Sequence, residues 1–454
     1  MENTMKETKF YLITDPHYFA TELGCSGPEY EDFMHYEQKC FAETESICNS
    51  VFEWLKKADE ADTVLIAGDL SFNGERKSHE KFLELLYDLK QSGKKIYVVT
   101  ADHDFKYKEG DTFAFGEKGR YSPEHTKRDE LFDMYRDFGF GDAIAADREN
   151  LSYVAQLSED VRLLCINCDF KEKGKYYFRD EQWEWIKEQT ARAREDNQTM
   201  LAMCHYPILP GQPLFQLLSP VMIKDAHKFA CFLADEGVKM IFTGHMHNQS
   251  INYIDTEKCN RLYDITTGSI IADPAFIRHV TVTDGRAEIR SIPTPDFEWD
   301  TDDCKKYLKD MFDRMIVNIL TDMRDDTTRA MRKLRIAEKP ATVKALHAAG
   351  KFICSVKVGT MAKVFFIKCD GSIRNMRVLD YATELVRGVF EGNQSFTEGT
   401  PKGDVLLALL KRLRPVLKRL DLKGWDGERA DLYELLRHSA GNYGIDDYNA
   451  TLTW

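Results

Sequence analysis

No apolar run in this chain approaches the roughly 18 residues that crossing a bilayer requires, so a membrane-spanning protein is not expected. The opening MENTMKETKFYLITD lacks the apolar stretch of a secretory signal, which points to a cytoplasmic location. Low-complexity tracts and internal repeats are also missing, as are a P-loop, a G-x-S-x-G elbow and a basic-aromatic RNA motif. The 11 cysteines form an odd set without disulfide-framework spacing. Cys165 and Cys168 make a C-x-x-C inside the strand-like VRLLCIN, where buried reduced thiols are the expected state. Positive charge is scarce where it would matter for nucleic acid. Residues 301–454 hold 27 Lys and Arg against 21 Asp and Glu, whereas the whole chain holds 62 against 75. The acidic excess therefore lies wholly in residues 1–300, which argues against duplex binding and suits the collection of divalent cations.

At 454 residues the chain is too long for one typical core, and its pattern divides near Pro293-Thr294-Pro295. Up to there, short apolar strands alternate with helical stretches, which implies right-handed crossovers and a largely parallel sheet. Strands are expected at 9–14, 63–67, 95–100, 152–157, 161–167, 199–204, 240–242, 251–255, 261–267 and 277–283. Helices are expected at 41–59, 75–91, 179–196 and 219–236, with a short one near 123–138. Beyond that point helical periodicity dominates, over 302–323, 341–349, 378–389, 403–420 and 427–438, while 352–368 fits either strand or buried helix. The expected organisation is thus an α/β domain over 1–297 and a mainly helical domain over 298–454. The loop 18–39 is long and rich in aromatics and acids, which marks it as functional or mobile, and His35 in it is a candidate substrate contact.

Five strands end in Asp or His: LITDPH, LIAGD, YVVTADHD, AMCHYP and IFTGHMHNQ. In open parallel sheets ligands bind outside the carboxyl ends of the strands, so Asp15, His17, Asp69, Asp102, His205, His245 and His247 should gather in one crevice. Seven ligands exceed what one ion needs and suit two ions about 3.5–4 Å apart. Imidazole mixed with carboxylate, without thiolate, fits Mn, Fe or Zn better than Ca or Mg. A hydroxide held between two such ions would be a nucleophile near neutral pH, and the ions would neutralise phosphate oxygens. Phosphoester hydrolysis is the chemistry this set serves.

The ordered motifs D-x-H, G-D, x-x-H-D, H-x-P and G-H-x-H resemble those of the calcineurin-like metallophosphoesterases, over roughly residues 8–290. The resemblance implies a β-sandwich flanked by helices (α/β/β/α), here followed by the mainly helical C-terminal part. It implies that two divalent or mixed-valence ions are held by Asp15, His17 and His247, by a bridging Asp69, and by Asp102, His205 and His245. His103 matches the histidine that assists the leaving oxygen, with Asp104 beside it as the second catalytic candidate. Within the family the chain looks most like bacterial class III cyclic nucleotide phosphodiesterases that carry a C-terminal helical bundle. Phe72 stands where purple acid phosphatases place a metal-binding Tyr, which disfavours that branch. The expected partner is a small phosphoester, cyclic nucleotides among the candidates, with no duplex nucleic acid and no membrane. A phosphomonoesterase or nucleotide pyrophosphatase, or a scaffold without turnover, are the alternatives; oligomeric state is not read from the sequence. One departure stands out: the family's Gly-Asn-His-Asp/Glu reads Ala101-Asp102-His103-Asp104 here. The extra carboxylate makes two divalent ions, their ligands and one hydroxide formally neutral, where Asn would leave one positive charge.

Overall fold

In the computed structural model of the chain, the structure describes residues 5–108, 110–172, 175–217, 222–334, 336–392, 396–419, 422–425, 427–439 and 444–454. Two sheets lie face to face. The first runs, in spatial order, 449–453, 286–293, 276–283, 8–13, 63–67, 95–99; the second runs 250–255, 261–266, 238–243, 199–204, 161–166, 152–156, 145–147. Strand 8–13 pairs parallel with 63–67, which pairs parallel with 95–99, while its other neighbour, 276–283, is antiparallel. In the second sheet 161–166, 199–204, 238–243 and 261–266 are mutually parallel, with antiparallel strands at both edges. The largely parallel arrangement expected from the alternation of elements holds at the centre of each sheet and gives way at its edges.

Alternation along the strands builds the layers. Leu163, Cys165, Leu201, Met203, Met240 and Phe242 enter the core shared with the first sheet. Their neighbours Leu164, Ile166, Met200, Ala202, Cys204 and Ile241 belong to a second core under helices Asp180–Glu195 and Ala226–Asp235. Successive side chains on a strand point to opposite faces, so one sheet serves two apolar layers. Phe10 meets Phe242 edge to face at 5.2 Å, and the Tyr153 hydroxyl donates to Val98 O at 2.7 Å, stitching the sheets together. Helices Thr44–Lys57 and Arg76–Gln91 bring Ile47, Val51, Phe52, Phe82 and Leu86 onto the first sheet. This is the expected sandwich of two sheets flanked by helices, and the C-terminal helices are additional to it.

Those helices run Cys304–Asp325, Thr327–Lys333, Pro340–Ser355, Val358–Val364, Val378–Glu391, Pro401–Leu417 and Leu432–Ser439. The ambiguous stretch 352–368 is helical over most of its length. Val358, Met361, Tyr381, Phe396 and Leu410 give this part its own core. Residues 219–221 of the helix expected over 219–236, and Leu420 of that expected over 403–420, lie outside the described residues. Strand Arg286–Pro293 was not expected, because its alternating Arg and Glu hide the apolar Ala287 and Ile289. Strand Asn449–Thr453 departs further from the expected organisation. It leaves the helical part and pairs antiparallel with 286–290, so the chain closes on its first sheet rather than ending in helices. The short helix expected near 123–138 reduces to Leu131–Met134 between two turns of 3-10 helix. Loop 18–39 contains helix Pro28–Met34. Cys165 and Cys168 are free, buried thiols. Among the described residues no helix is long and apolar enough to cross a membrane.

Candidate metal centre

The carboxyl ends of the central strands from both sheets meet at one edge of the sandwich. Backbone bonds knit them together: Asp15 N–H to Gly68 O (3.2 Å), His17 N–H to Asp69 O (2.9 Å) and Gly244 N–H to His205 O (2.9 Å). The turns are tight, and Asp15, Asp69, His245, His17 and His247 all have positive φ, between 38° and 67°. Non-glycine residues rarely adopt that region, and among the described residues half of the ten that do so lie at this edge. The glycines of the G-D and G-H motifs are required by close approach. A Cβ on Gly68, whose φ is +89°, would lie 2.6 Å from His205 Nδ1, and one on Gly244 would strike Asp15 and Thr14.

Three overlapping clusters result, each with its ligand atoms within 4.8 Å of one another: Asp15, His17 and His247; His17, Asp69 and His103; Asp69, His205 and His245. Asp69 and His17 are shared between clusters. His17 Nε2 lies 3.1 Å from His247 Nε2, 3.5 Å from Asp69 Oδ2 and 3.7 Å from Asp15 Oδ1. His205 Nε2 lies 3.1 Å from Asp69 Oδ2. The backbone N–H of His245 donates to Asp15 Oδ2 at 3.0 Å.

The residues fit a pair of cations. His205 Nδ1 donates to Ala67 O at 2.9 Å, so Nε2 is the ring nitrogen turned toward Asp69, holding a proton there that an ion would displace. His205 Nε2 is buried without a hydrogen-bond partner. Buried polar atoms are rarely left so, and once its proton is displaced this nitrogen would satisfy a Lewis acid. The mutual electrostatics point the same way. Burial opposes charge on His205, yet the Asp69 and Asp15 carboxylates outweigh it and push its pKa up to about 10. Burial and the neighbouring His205 push His245 down to about 4. Burial, with the Lys39 ammonium, holds His17 well below the usual imidazole range.

Two of the expected residues are placed differently. Asp102 belongs to none of the three clusters: its carboxylate accepts the hydroxyls of Tyr176 and Tyr206, with Lys171 Nζ at 3.7 Å. Burial and Asp69 work against its charge, but His103, His245 and the Tyr176 hydroxyl prevail and its pKa falls to about 2. Asp104, expected to be catalytic, is fully buried and accepts from the backbone N–H of Ser71 and Ala101, each at 2.8 Å. It ties the turn after Asp69 to the turn carrying His103, and is a positioning residue. Burial, reinforced by Asp69, raises its pKa to about 8. His103 lies beside the clusters, with Nδ1 donating to Phe72 O and its ring 4.8 Å from that of His17.

Other residues at the site carry no strand-end motif. Gln38 Nε2 lies 3.0 Å from His247 Nδ1, and Lys39 places its ammonium 4.4 Å from the Phe72 ring centroid. Only the length of their loop hinted at a role. Asp264, inside strand 261–266, accepts from Ile208 N–H and Leu209 N–H at 2.8 Å each and from Thr243 Oγ1 at 2.7 Å. It thereby joins the chain just after His205 to the residue before Gly244-His245. His35 is not at the site; its Nε2 lies 2.8 Å from Asp322 Oδ2 in the helix 304–325.

The calcineurin-like phosphoesterase family model matches residues 8–249. No curated protein matches the sequence significantly. Solved structures similar to this chain include a dimetal phosphatase from Danio rerio, at 13% identity over 64% of this chain and 97% of that one, TM-score 0.45. A purple acid phosphatase from yellow lupin aligns at 14% identity over 65% of this chain and 52% of the other, TM-score 0.44. The NAD nucleotidase of Haemophilus influenzae aligns at 12% identity over 79% and 62%, TM-score 0.34.

Proposed function

Because this chain belongs to the calcineurin-like phosphoesterase family, we propose that it is a dinuclear metal-dependent phosphodiesterase acting on small phosphodiesters, with cyclic nucleotides as the first substrates to try. The observation that carries this reading is the set of three overlapping Asp–His clusters that share His17 and Asp69. Asp15, His17 and His247 would hold one ion and His205 and His245 the other, with Asp69 reaching both. Two such ions of the Mn, Fe or Zn kind would supply Lewis acidity and a water acidic enough to attack phosphorus near neutral pH.

The chain's own residues divide the remaining work. His103 is fixed through Nδ1 on Phe72 O, which leaves Nε2 for the departing oxygen; as the imidazolium, its Nε2 would hand that oxygen a proton and return to the neutral ring. Asp104 holds the turn that carries His103. Asp102 stands beside the second position with its charge shared by two phenols and Lys171. Its extra negative charge weakens the attraction for a dianionic monoester more than for a monoanionic diester, which supports the diester reading.

The test is hydrolysis of bis- and mono-p-nitrophenyl phosphate by metal-stripped protein reloaded with Mn²⁺, beside Asp69→Asn. Diester turnover that requires Mn²⁺ and is lost in the variant is expected, by at least about 10²-fold. Preference for the monoester would replace the proposal with a phosphomonoesterase. Absence of both turnover and bound metal would leave a scaffold with the phosphoesterase fold.

A further inference from the structure

Segment 35–41 reaches the metal centre from outside the strand-end motifs, and it brings a cation. Lys39 is only 8% exposed, and its ammonium rests over the Phe72 ring, 4.4 Å from the centroid. That ring is part of the site: its centroid is 6.0 Å from that of His17, and its residue's carbonyl receives His103 Nδ1. Among the described residues, no hydrogen bond or ion pair engages the Lys39 ammonium. Glu37, two residues away, turns Oε1 to the backbone N–H of Gln38 and Lys39, at 3.0 and 3.1 Å. Glu37 supplies a nearby negative charge that the ammonium stabilises, but its Oε1 is taken up by backbone N–H groups, so Lys39 keeps its donors for an incoming anion.

The position is fixed from two sides. Gln38 leans on His247 at 3.0 Å, while the C-terminal helices hold the residues just before it. Asp322 lies 2.8 Å from His35 Nε2 and accepts the Tyr36 hydroxyl at 2.5 Å. Asn318 Nδ2 donates to His35 O and Lys333 Nζ to Tyr36 O, each at 2.8 Å. These contacts place Lys39 by backbone restraint rather than by a partner for its charge.

We propose that Lys39 contacts a non-bridging oxygen of the substrate's phosphoryl group, returning to the site the positive charge that Asp102 removes. One ammonium beside a formally neutral ligand set matches the single negative charge of a phosphodiester. This inference rests on the dinuclear phosphoesterase reading.

The test compares wild type, Lys39→Gln and Lys39→Arg, each loaded with Mn²⁺. Metal content is measured by elemental analysis, binding of inorganic phosphate by titration calorimetry, and KM and kcat with bis-p-nitrophenyl phosphate. Lys39→Gln should keep two Mn²⁺ but bind phosphate about tenfold more weakly, with KM raised by a similar factor and kcat moved less. Lys39→Arg should recover most of the loss. Wild-type phosphate affinity in a fully loaded Lys39→Gln would overturn the inference and leave the dinuclear reading standing. Loss of Mn²⁺ or early melting in Lys39→Gln, not restored by Arg, would make Lys39 structural and also overturn it. A wild type that binds neither Mn²⁺ nor phosphate would overturn the dinuclear reading itself.

Discussion

At the scale of single residues, Asp102 separates what a motif implies from what a side chain does. Its place in the third motif marks it as a ligand, yet in the fold its oxygens take the hydroxyls of Tyr176 and Tyr206. Tyr176 comes from the hairpin formed by Phe170–Glu172 and Lys175–Tyr177, more than seventy residues later in the chain. Removing the charge while keeping the shape should strengthen the hold on an anionic substrate. Asp102→Asn is therefore expected to lower KM for bis-p-nitrophenyl phosphate about fivefold at saturating Mn²⁺, corresponding to on the order of 1 kcal/mol across the site. An unchanged or higher KM would show that the tyrosines and Lys171 already neutralise this carboxylate. Asp104 lies two positions on and faces the opposite way, into backbone N–H groups. Both carboxylates were visible in the sequence; which of them faces the cleft depended on neighbours from elsewhere in the chain.

Among elements, strand 261–266 shows how a strand without a motif can set the site. Asp264 holds the residues after His205 and the Thr243 hydroxyl before Gly244-His245, so two ligand-bearing turns share one buried brace. Burial raises its pKa to about 6 from an ordinary 3.8, against the pull of those donors. The sign follows from linkage: the folded state binds this proton more tightly than the unfolded chain. Its contribution is full below about pH 4, is lost as pH rises through about 6, and then stays constant. Urea unfolding of metal-free wild type and Asp264→Asn should show stabilities that diverge across pH 4 to 6.5, by on the order of 2–3 kcal/mol, and run parallel above pH 7. Parallel curves throughout would mean that Asp264 is already ionised when folded at pH 4. Sequence reading found the strand from its apolar alternation, but the bonding of one acid within it could not be read from spacing.

For the whole molecule, the C-terminal part is tied to the sandwich at several places, among them Gln249 N–H to Phe390 O at 2.9 Å and Leu214 N–H to Ser439 Oγ at 3.1 Å. Asp322 and its neighbours grip the segment that carries Gln38 and Lys39, and strand 449–453 extends the first sheet. Near that strand, Asp447 Oδ1 accepts from Ile251 N–H at 2.7 Å, and its carbonyl accepts from the fully buried Arg278 at 2.9 Å. Removing residues 449–454 would uncover the edge of strand 286–293 and the Leu452 contact. A fall in Tm of about 3–5 °C is expected, measured by scanning calorimetry on the metal-free protein, consistent with a loss on the order of 2–3 kcal/mol. An unchanged Tm would show that this strand contributes little to the sandwich.

The sequence by itself determined the strands and the chemistry at their ends. Apolar runs such as TVLIA and VKMIFT must be buried, and an Asp or His following each must emerge at the same edge of a parallel sheet. That logic is local, needing only period, polarity and turn residues, and it pointed to Asp15, His17, Asp69, Asp102, His205, His245 and His247, while His103 came from the family resemblance. Tertiary structure decided everything that depends on contacts between distant segments. It chose which carboxylate faces the cleft, brought Tyr176 to Asp102, and carried Gln38 and Lys39 in on a loop anchored by Asp322. It also returned the final strand to the first sheet. The physical reason is that hydrogen bonds and ion pairs between remote segments leave no periodicity in the chain, because their geometry exists only once the layers have packed.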